Sequence, residues 1–393
     1  MKGVRRRCWI GLLAGALLVP LLVTTSGAAP AVGGSVRTLK SFSDPRGDWP
    51  PRAGTVADVR YGPFTVPAAS MDAPGMVMNQ FAANLPAPCS HCSITDIVPS
   101  LVYADGTDAN FDSGTMLHHF VLFNPAARDA TCPNGFFGAA NFGDRFFASG
   151  SERSHMHLPD GFGYYNAGNT WTLDADLMNM MPDPQQVYVR VVVRYRDASA
   201  HLKNVRPIWL DINNCGTSEY AIPHGTSDAQ WSWTSNLTGE IVGIGGHQHD
   251  LSAMDMSCMD ASMCPGHGGG TAISAELVGG SSHVYFGPRP PTGALPAALT
   301  GSTICRSEDR YDTPFGMQNG YMGHLDTMTA CGNWRGGLRG NAAYPAGGSS
   351  SPHGFPIRAG QTIRLHSQYT NPGPPRDDVM GIMIAYLHPT SSR

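Results

Sequence analysis

The chain consists of short apolar segments separated by Gly, Pro, Asn and Asp. Segments such as TMLHHFVLFN, VYVRVVVRYRD and VMGIMIAYL are rich in β-branched and aromatic residues, which favour strands. In QVYVRVVVRYRD, Val187, Val189, Val191, Val193 and Tyr195 share one face, because successive side chains of a strand point to opposite sides. We find no periodicity that supports a helix longer than two turns. The pattern therefore predicts an all-β protein, a sandwich or a barrel.

One stretch suggests a division into two domains. Residues 221–239 have weak periodicity and resemble a crossing between two halves. We place the boundary near residue 225, which gives an N-terminal domain over 32–225 and a C-terminal domain over 226–393. Residues 32–60 and 340–356 are interpreted as loops.

The first 31 residues have the pattern of a secretory signal. Lys2 and three arginines precede the apolar run CWIGLLAGALLVPLLV, and small residues follow at TSGAAPA. This order of charged, apolar and small residues predicts a signal peptide over 1–31, cleaved near Ala31. We expect a secreted protein with no membrane span, because the apolar run is too short and too early in the chain.

Charge and cysteine content narrow the class of protein. Only 14% of the residues are charged and the net charge is −4, which offers no footprint for nucleic acid or an anionic membrane. Eight of the nine cysteines follow the signal segment, and an even number in an exported chain favours disulfides. Cys89-x-x-Cys92 as a redox-active pair is the less favoured alternative. Cys258 and Cys264 are close enough in sequence to pair with each other.

The stretch GGHQHDL contains a pair of histidines with metal-ligand spacing. His247 and His249 are two residues apart, so on a strand both side chains project from one face. A zinc hydrolase of the HxHxD type would need an acid at Leu251, and a cupin would need a glutamate at 252–254, which read Ser-Ala-Met. Neither alternative fits, and two solvated histidines on a surface strand remain the other interpretation.

Two further elements carry possible ligands. His118 and His119 are adjacent in TMLHHFVLFN, and both can bind one ion only at a strand end or a bulge. Taken alone, one buried and one exposed histidine is the simpler interpretation. Met380 begins an apolar strand, where a methionine is usually core filler. As a ligand, its thioether would select copper over zinc, calcium or magnesium.

Taken together, these elements resemble the copper type II, ascorbate-dependent monooxygenases, the peptidylglycine α-hydroxylating and dopamine β-monooxygenase family. The resemblance covers roughly residues 100–388 through MLHHFVLF, LPDGFGY, VRVVVRYRD, GHQHDL and RLHSQYTN…DDVMGIMIAYL. It implies two tandem jelly-roll-like β-sandwich domains that face each other across a cleft. It also implies an oxygen-activating copper bound by His247, His249 and Met380. A second, electron-relay copper would take two of its three histidines from His118 and His119.

The chain departs from the family at the third histidine of the relay site. The matching position is Arg194, whose strand alternation points it away from the Val/Tyr face, toward the expected metal. A guanidinium stays protonated and has no lone pair to donate to a metal. The site therefore loses a ligand, recruits another or is abandoned. His155, His157 and His201 are the possible replacements, and His157 is the one we favour.

Two more departures concern the substrate and a methionine-rich segment. Gly245 replaces the arginine that grips a peptide carboxylate in amidating members, and Ile382 and Ile384 replace a polar Asn and Tyr. Peptide amidation is therefore not expected, and the pocket should be apolar. Met254, Met256, Met259 and Met263, with His267, form either a disulfide-pinned surface loop or an entry site for Cu(I).

The sequence thus predicts an exported copper protein that hydroxylates an apolar small molecule with O₂. One or two copper ions would be bound, and ascorbate or another one-electron donor would supply the electrons. The rival prediction is a non-catalytic copper-binding or copper-handling protein on the same fold. The third prediction is a purely structural β-sandwich protein that binds no metal.

Overall fold

The computed structural model describes residues 32–44, 49, 51–70, 73–135, 142–249, 269–278, 303–311, 325–328, 330–332 and 354–390. These residues form β-strands joined by turns and loops, with a single 3-10 helix at Ala198–Ala200. The all-β prediction is confirmed. The predicted signal peptide over 1–31 lies outside the described residues.

Among the described residues, twelve strands precede residue 205. They are β1 (Gly33–Leu39), β2 (Thr55–Val66), β3 (Gly75–Val77), β4 (Ala82–Pro86), β5 (Cys92–Tyr103), β6 (Thr115–Asn124), β7 (Asp144–Gly150), β8 (Met156–His157), β9 (Phe162–Asn166), β10 (Thr170–Asn179), β11 (Gln185–Asp197) and β12 (Lys203–Asn204).

Twelve more strands are described after residue 205. They are β13 (Arg206–Asp211), β14 (Tyr220–Ile222), β15 (Gly225–Thr234), β16 (Gly239–Gln248), β17 (Gly269–Leu277), β18 (Thr303–Tyr311), β19 (Leu325–Met328), β20 (Ala330–Gly332), β21 (Phe355–Ile357), β22 (Thr362–Asn371), β23 (Arg376–Val379) and β24 (Gly381–Pro389).

The strands form four larger sheets and one two-stranded pair. The first sheet has the order β1-β2-β11-β5-β9-β12, with β8 beside β5, and the second has the order β3-β10-β6-β7, with β4 beside β10. The third has the order β13-β24-β16-β20, with β21 beside β16, and the fourth has the order β15-β22-β17-β18-β19. Strands β14 and β23 form the separate pair. All the described strand pairs are antiparallel except β12 with β9.

Strand β24 contributes to two hydrophobic cores at once. Ile382, Ile384 and Tyr386 belong to the core that also contains the inward faces of the first and second sheets. Met383, Ala385 and Leu387 belong to a second core, shared with the fourth sheet. A strand that is buried on both faces has apolar residues at successive positions. This explains the uninterrupted apolar sequence GIMIAYL in β24. The third sheet is therefore covered by apolar side chains on both sides.

Three local predictions are wrong in part. Of residues 340–356, interpreted as loop, only 354–356 are among the described residues, and Phe355 begins β21. Residues 225–234, interpreted as part of a crossing, form β15 at the edge of the fourth sheet, paired along its length with β22. Within 32–60, interpreted as loop, Gly33–Leu39 form β1 and Thr55 begins β2. Strand β1 lies at the edge of the first sheet, and six of its seven residues are exposed, so it needs no apolar alternation. The described part of Val32–Arg393 belongs to one compact unit, and the domain boundary near 225 stays a prediction.

Three disulfides join cysteines of the described residues, as predicted. They are Cys89–Cys92, Cys132–Cys215 and Cys305–Cys331. The predicted partners Cys258 and Cys264 lie outside the described residues. In the part of the chain that the structure describes, no helix is long and apolar enough to cross a membrane.

Candidate metal centre

The two predicted histidine pairs lie together. The ring centroids of His118 and His249 are 4.7 Å apart, and those of His119 and His247 are 6.1 Å apart. His118, His247 and His249 are buried, and the side chain of His119 is 13% exposed. We call these four residues the four-histidine cluster. The resemblance placed the pairs in two sites across a cleft, whereas the structure brings them into one cluster.

A β-bulge allows adjacent histidines to share one face. In the pairing of β6 with β10, His119 lies opposite Asp176 and Leu117 lies opposite Leu177, so His118 is the extra residue. Such an insertion changes the alternation of side chains along the strand. His118 and His119 consequently lie with ring centroids 5.0 Å apart. His247 and His249, at the end of β16, need no bulge because their spacing already matches the strand period.

Three of the four imidazoles are held through one ring nitrogen. His119 Nε2 lies 3.1 Å from Oδ2 of Asp176, His247 Nδ1 lies 3.2 Å from Oε1 of Glu152, and His249 Nδ1 donates to the backbone carbonyl of Asp378 at 2.7 Å. The opposite nitrogens are His119 Nδ1, His247 Nε2 and His249 Nε2. All three are buried, with no hydrogen-bond partner among the described residues.

This arrangement fits a metal ion. Buried polar atoms are normally hydrogen-bonded, so three unpaired imidazole nitrogens in one cluster require an explanation. Metal-binding histidines characteristically donate their other nitrogen to a carboxylate or a backbone carbonyl, as these three do. His118, His119 and His249 each offer one ring nitrogen, and these three nitrogens lie within 4.8 Å of one another. Imidazole nitrogens suit copper, zinc, iron and nickel.

The ionisation of the cluster also favours a metal. Burial, reinforced by the neighbouring His119, lowers the pKa of His118 to about 3. Burial and the nearby histidines hold the pKa of His249 well below its usual value. Both are neutral at pH 7, as ligands must be. Burial also lowers the pKa of His119, but the hydrogen bond and charge of Asp176 outweigh it, and the net effect raises that pKa.

Met380 lies beside the cluster. It is 3% exposed and lines a cavity of about 70 Å³ together with His119 and His247. The hydroxyl of Tyr369 accepts a hydrogen bond from the backbone N–H of His249 and donates one to the backbone carbonyl of Met380, both at 2.6 Å. The thioether of Met380 as a copper ligand stays a prediction.

The same cavity has an apolar wall and a polar wall. Phe123, Phe142 and Ile382 line one part of it, and Phe81, which is 43% exposed, stacks on Phe142 with ring centroids 5.0 Å apart. Polar groups line another part, namely Asn79, Arg145, Asp174, Ser218 and Glu219. Ile382, predicted to face an apolar pocket, therefore does line a cavity next to the histidines.

Arg194 and His157 belong to a different buried group. Arg194 Nη1 donates to Oδ2 of Asp96 at 3.1 Å, and its guanidinium lies 3.9 Å from the ring centroid of Trp49. His157 Nδ1 lies 2.8 Å from the other oxygen of Asp96, and its ring is 5.5 Å from that of His155. The expectation that Arg194 points toward the metal does not match these contacts, since its charge is neutralised by Asp96.

The described contacts of His157 do not join it to the four-histidine cluster. His201 is exposed, in the left-handed region at φ 50° after the 3-10 helix. A ligand role for His157 or His201 stays a prediction. The methionine-rich segment with Met254, Met256, Met259 and Met263, together with His267, lies outside the described residues.

Glu152 and Asp176 are functional candidates that the sequence did not suggest. Glu152 is fully buried and lies 95 residues before its partner His247. Asp176 lies opposite His119 across a strand pair. No spacing rule links such residues, because only the tertiary fold and the sheet register bring them together.

Two curated proteins are similar to part of this chain. The first, "Probable copper-dependent oxygenase M1" of Phoma sp., is 30% identical over 203 residues, which cover 49% of this chain and 50% of that protein. The second, "Probable copper-dependent oxygenase clz3" of Cochliobolus lunatus, is 30% identical over 162 residues, 38% of this chain and 50% of that protein. The chain thus spans about half the length of the curated relatives it matches.

Other comparisons add little. No protein-family model matches the chain. Among solved structures, the major capsid protein P2 of bacteriophage PM2 superposes on 92% of this chain and 99% of its own, at 10% identity and a TM-score of 0.22. A superposition at that score carries no argument about fold or function.

Proposed function

We propose that this chain is an exported copper-dependent oxygenase that inserts one oxygen atom of O₂ into a C–H bond of an apolar small molecule. The observation that carries the proposal is the set of three buried, unpaired imidazole nitrogens in the four-histidine cluster. The names of the two relatives favour copper among the metals that imidazole suits.

A single copper ion is the occupancy that the geometry supports. The ring nitrogens of His118, His119 and His249 are mutually close, so two ions in separate sites would compete for the same ligands. The ring of His247 lies beside these three, 5.5 Å from that of His249, and is the candidate for a fourth imidazole ligand, while Met380 is the candidate for a soft additional ligand. Copper would supply one-electron redox chemistry toward O₂, and the protein would supply its position and surroundings.

The residues around the cavity define what reaches the cluster. Phe123, Phe142 and Ile382 favour an apolar group and exclude water from one side. A cavity of about 70 Å³ holds only a few non-hydrogen atoms, so the reacting end of the substrate would enter and the remainder would lie near Phe81. Two electrons from ascorbate or another one-electron donor, together with two protons, would reduce the second oxygen atom of O₂ to water, so that the C–H bond receives only one.

Export is part of the proposal. The charged and apolar pattern of residues 1–31 supports a signal peptide. Three disulfides among the described residues are typical of an oxidising compartment.

One observation favours the rival function, a non-catalytic copper-binding protein. All four histidines of the two expected sites take part in one cluster, which leaves no separate relay copper among the described residues. A protein that stores or scavenges copper needs only one such site, whereas long-range electron transfer would need two.

Copper content and oxygen chemistry together test the proposal. Elemental analysis of the copper-reconstituted protein should give one copper per chain, lost in both His118→Ala and His249→Ala and retained in His201→Ala. Two coppers, with each variant losing only one, would contradict the shared cluster. With ascorbate, ¹⁸O₂ and a panel of apolar small molecules, mass spectrometry should detect a product that carries one labelled oxygen. Copper binding without any labelled product would favour the storage function.

A further inference from the structure

Glu152 links the two parts of the chain that form the cluster. It follows β7 in the N-terminal part, is fully buried, and reaches His247 on β16 in the C-terminal part. Its Oε1 accepts the backbone N–H of Gly150 at 3.0 Å and lies 3.2 Å from Nδ1 of His247. The backbone of β7 therefore fixes the carboxylate oxygen that faces the imidazole.

This contact determines which nitrogen of His247 is available. A carboxylate accepts hydrogen bonds, so Nδ1 carries the proton that it donates to Glu152. In a neutral imidazole the lone pair then belongs to Nε2. Nε2 of His247 is buried, with no hydrogen-bond partner among the described residues. The ring of His247 lies 5.5 Å from that of His249 and 6.1 Å from that of His119, which places this imidazole beside the three histidines whose ring nitrogens are mutually close.

Gly150 makes the close approach of β7 possible. A Cβ atom at this position would lie 2.7 Å from Cε1 of His247, 2.7 Å from Oε2 of Glu152 and 2.6 Å from the carbonyl oxygen of His118. All three distances are shorter than real Cβ contacts. Two histidines of the cluster and Glu152 thus meet at a point where only a glycine fits.

We infer that Glu152 is a positioning residue, which holds His247 in the tautomer and orientation that make it the fourth ligand of the cluster. The inference rests on the proposed copper site. It requires no direct contact of Glu152 with the metal. Loss of a hydrogen-bond partner behind a ligand typically weakens metal binding by about 10- to 100-fold.

The test compares four proteins that are loaded with copper alone. They are the wild type, Glu152→Gln, Glu152→Ala and the control Asp96→Asn. Asp96 is an equally buried carboxylate that holds Nδ1 of a different histidine, His157, at 2.8 Å. Copper affinity is measured by competition with a chelator, and pulsed EPR of Cu(II) counts the bound imidazoles. Circular dichroism of the metal-free proteins checks that each variant is folded.

The expected result is about 10- to 100-fold weaker copper binding in Glu152→Ala, with one bound imidazole fewer, and a smaller loss in Glu152→Gln. Asp96→Asn should match the wild type in affinity and spectrum. A purely structural role would lower the stability of the metal-free protein without changing the spectrum of bound copper.

The inference would be overturned by folded Glu152 variants whose copper affinity and imidazole count equal those of the wild type. It would also be overturned by an equal loss in Asp96→Asn. In both cases the wild type still binds copper, and the proposed function stands. A wild type that binds no copper would overturn the proposed function and this inference together. If Glu152→Ala does not fold, Glu152→Gln, which keeps the length of the side chain, provides the second test, and an affinity and imidazole count equal to those of the wild type in that variant would overturn the inference.

Discussion

The backbone N–H of His249 and the backbone carbonyl of Met380 are bridged by one hydroxyl group. Tyr369 on β22 is 1% exposed, and its hydroxyl accepts from the first and donates to the second, at 2.6 Å each. His249 directly follows β16, and Met380 lies between β23 and β24. The bridge fixes the distance between these two backbone segments. Tyr369 thus stabilises the relative position of one histidine of the cluster and the candidate thioether ligand.

Replacement of Tyr369 by Phe should destabilise the protein and weaken copper binding. Both bridged groups would be left without their partner, and each buried polar group left unpaired costs about 1–3 kcal/mol. Chemical denaturation of the metal-free protein measures the free energy of unfolding, and a chelator competition measures copper affinity. Tyr220→Phe is the matched control, because within the described part of the chain its hydroxyl donates to the hydroxyl of Ser367 and bridges no backbone groups. Equal effects of the two substitutions would show that the bridge has no special role.

Copper should raise the unfolding temperature of the wild type. A ligand that binds only the folded state stabilises it by about 2.7 kcal/mol at a free concentration 100 times its Kd. His249→Ala should abolish this increase, since the ring of His249 lies 4.7 to 5.8 Å from those of all three other histidines of the cluster. His366→Ala, in a half-buried group with Asp228 on the fourth sheet, should retain it. Scanning calorimetry with and without copper measures the shift, and retention of the full shift in His249→Ala would contradict the site.

Copper affinity should increase with pH and then level off. Burial lowers the pKa of His119, but the hydrogen bond and charge of Asp176 outweigh it and raise the pKa above its usual value. Below that raised pKa, copper must displace a proton from His119, so affinity rises until the group is neutral and is constant above it. In the metal-free protein, the contribution of this pair to stability changes with pH in the opposite direction to copper affinity. The pair stabilises the fold fully below the unfolded pKa of about 6.5 and loses that contribution as pH rises through the raised pKa.

Asp176→Asn tests whether the titration of His119 causes the pH dependence of copper affinity. The substitution removes the charge that raises the pKa of His119, so the increase in copper affinity should move to lower pH. Chelator competition at a series of pH values measures it for both proteins. An unchanged pH profile in the variant would mean that another group titrates with copper binding.

Arg194→His should not create a second copper site. Arg194 is 2% exposed and pairs with Asp96 rather than with any residue of the four-histidine cluster. Removing one partner of a buried ion pair costs about 3–5 kcal/mol, and the lower end is expected because His157 and Arg52 remain near Asp96. Denaturation measures the loss, and elemental analysis should still find one copper. A second copper in the variant would revive the separate relay site.

The fold class and the histidines could be predicted from the sequence because both depend on local pattern. Alternation in β11 and the apolar run of β24 identify strands directly, and the His-x-His spacing matches the strand period. Strands β1 and β15 were missed because edge strands bury little. Their residues are mostly exposed or half-buried, so pairing with β2 and β22 rather than apolar content holds them in place.

The composition of the cluster could not be predicted, because it depends on long-range pairing. The bulge at His118 exists only in the register of β6 against β10. The approach of His118 to His249 requires strands that are distant in the sequence to meet. The sequence around either histidine does not encode that meeting. The resemblance assigned the four histidines to two separate sites, whereas in the structure their rings lie together.

The disulfide Cys132–Cys215 should contribute far more stability than Cys89–Cys92. The first joins residues 83 positions apart and the second joins residues 3 positions apart. If a cross-link acts by restricting the unfolded chain, the longer loop is worth about 4.5 kcal/mol and the shorter about 1.6 kcal/mol. Denaturation of Cys132→Ala/Cys215→Ala and of Cys89→Ala/Cys92→Ala, each against the wild type, measures the two contributions.

The longer disulfide also lies next to the cavity, so its removal has a second expected effect. Residues 216–219, which directly follow Cys215, line the cavity, whereas the hydrogen-bonding partners of His119, His247 and His249 lie elsewhere in the chain. Cys132→Ala/Cys215→Ala should therefore keep one copper with nearly unchanged affinity while its ¹⁸O-labelled product falls or spreads over more compounds of the apolar panel. Loss of copper in this variant, at a temperature where it is still folded, would show that the wall of the cavity and the metal centre are a single cooperative unit.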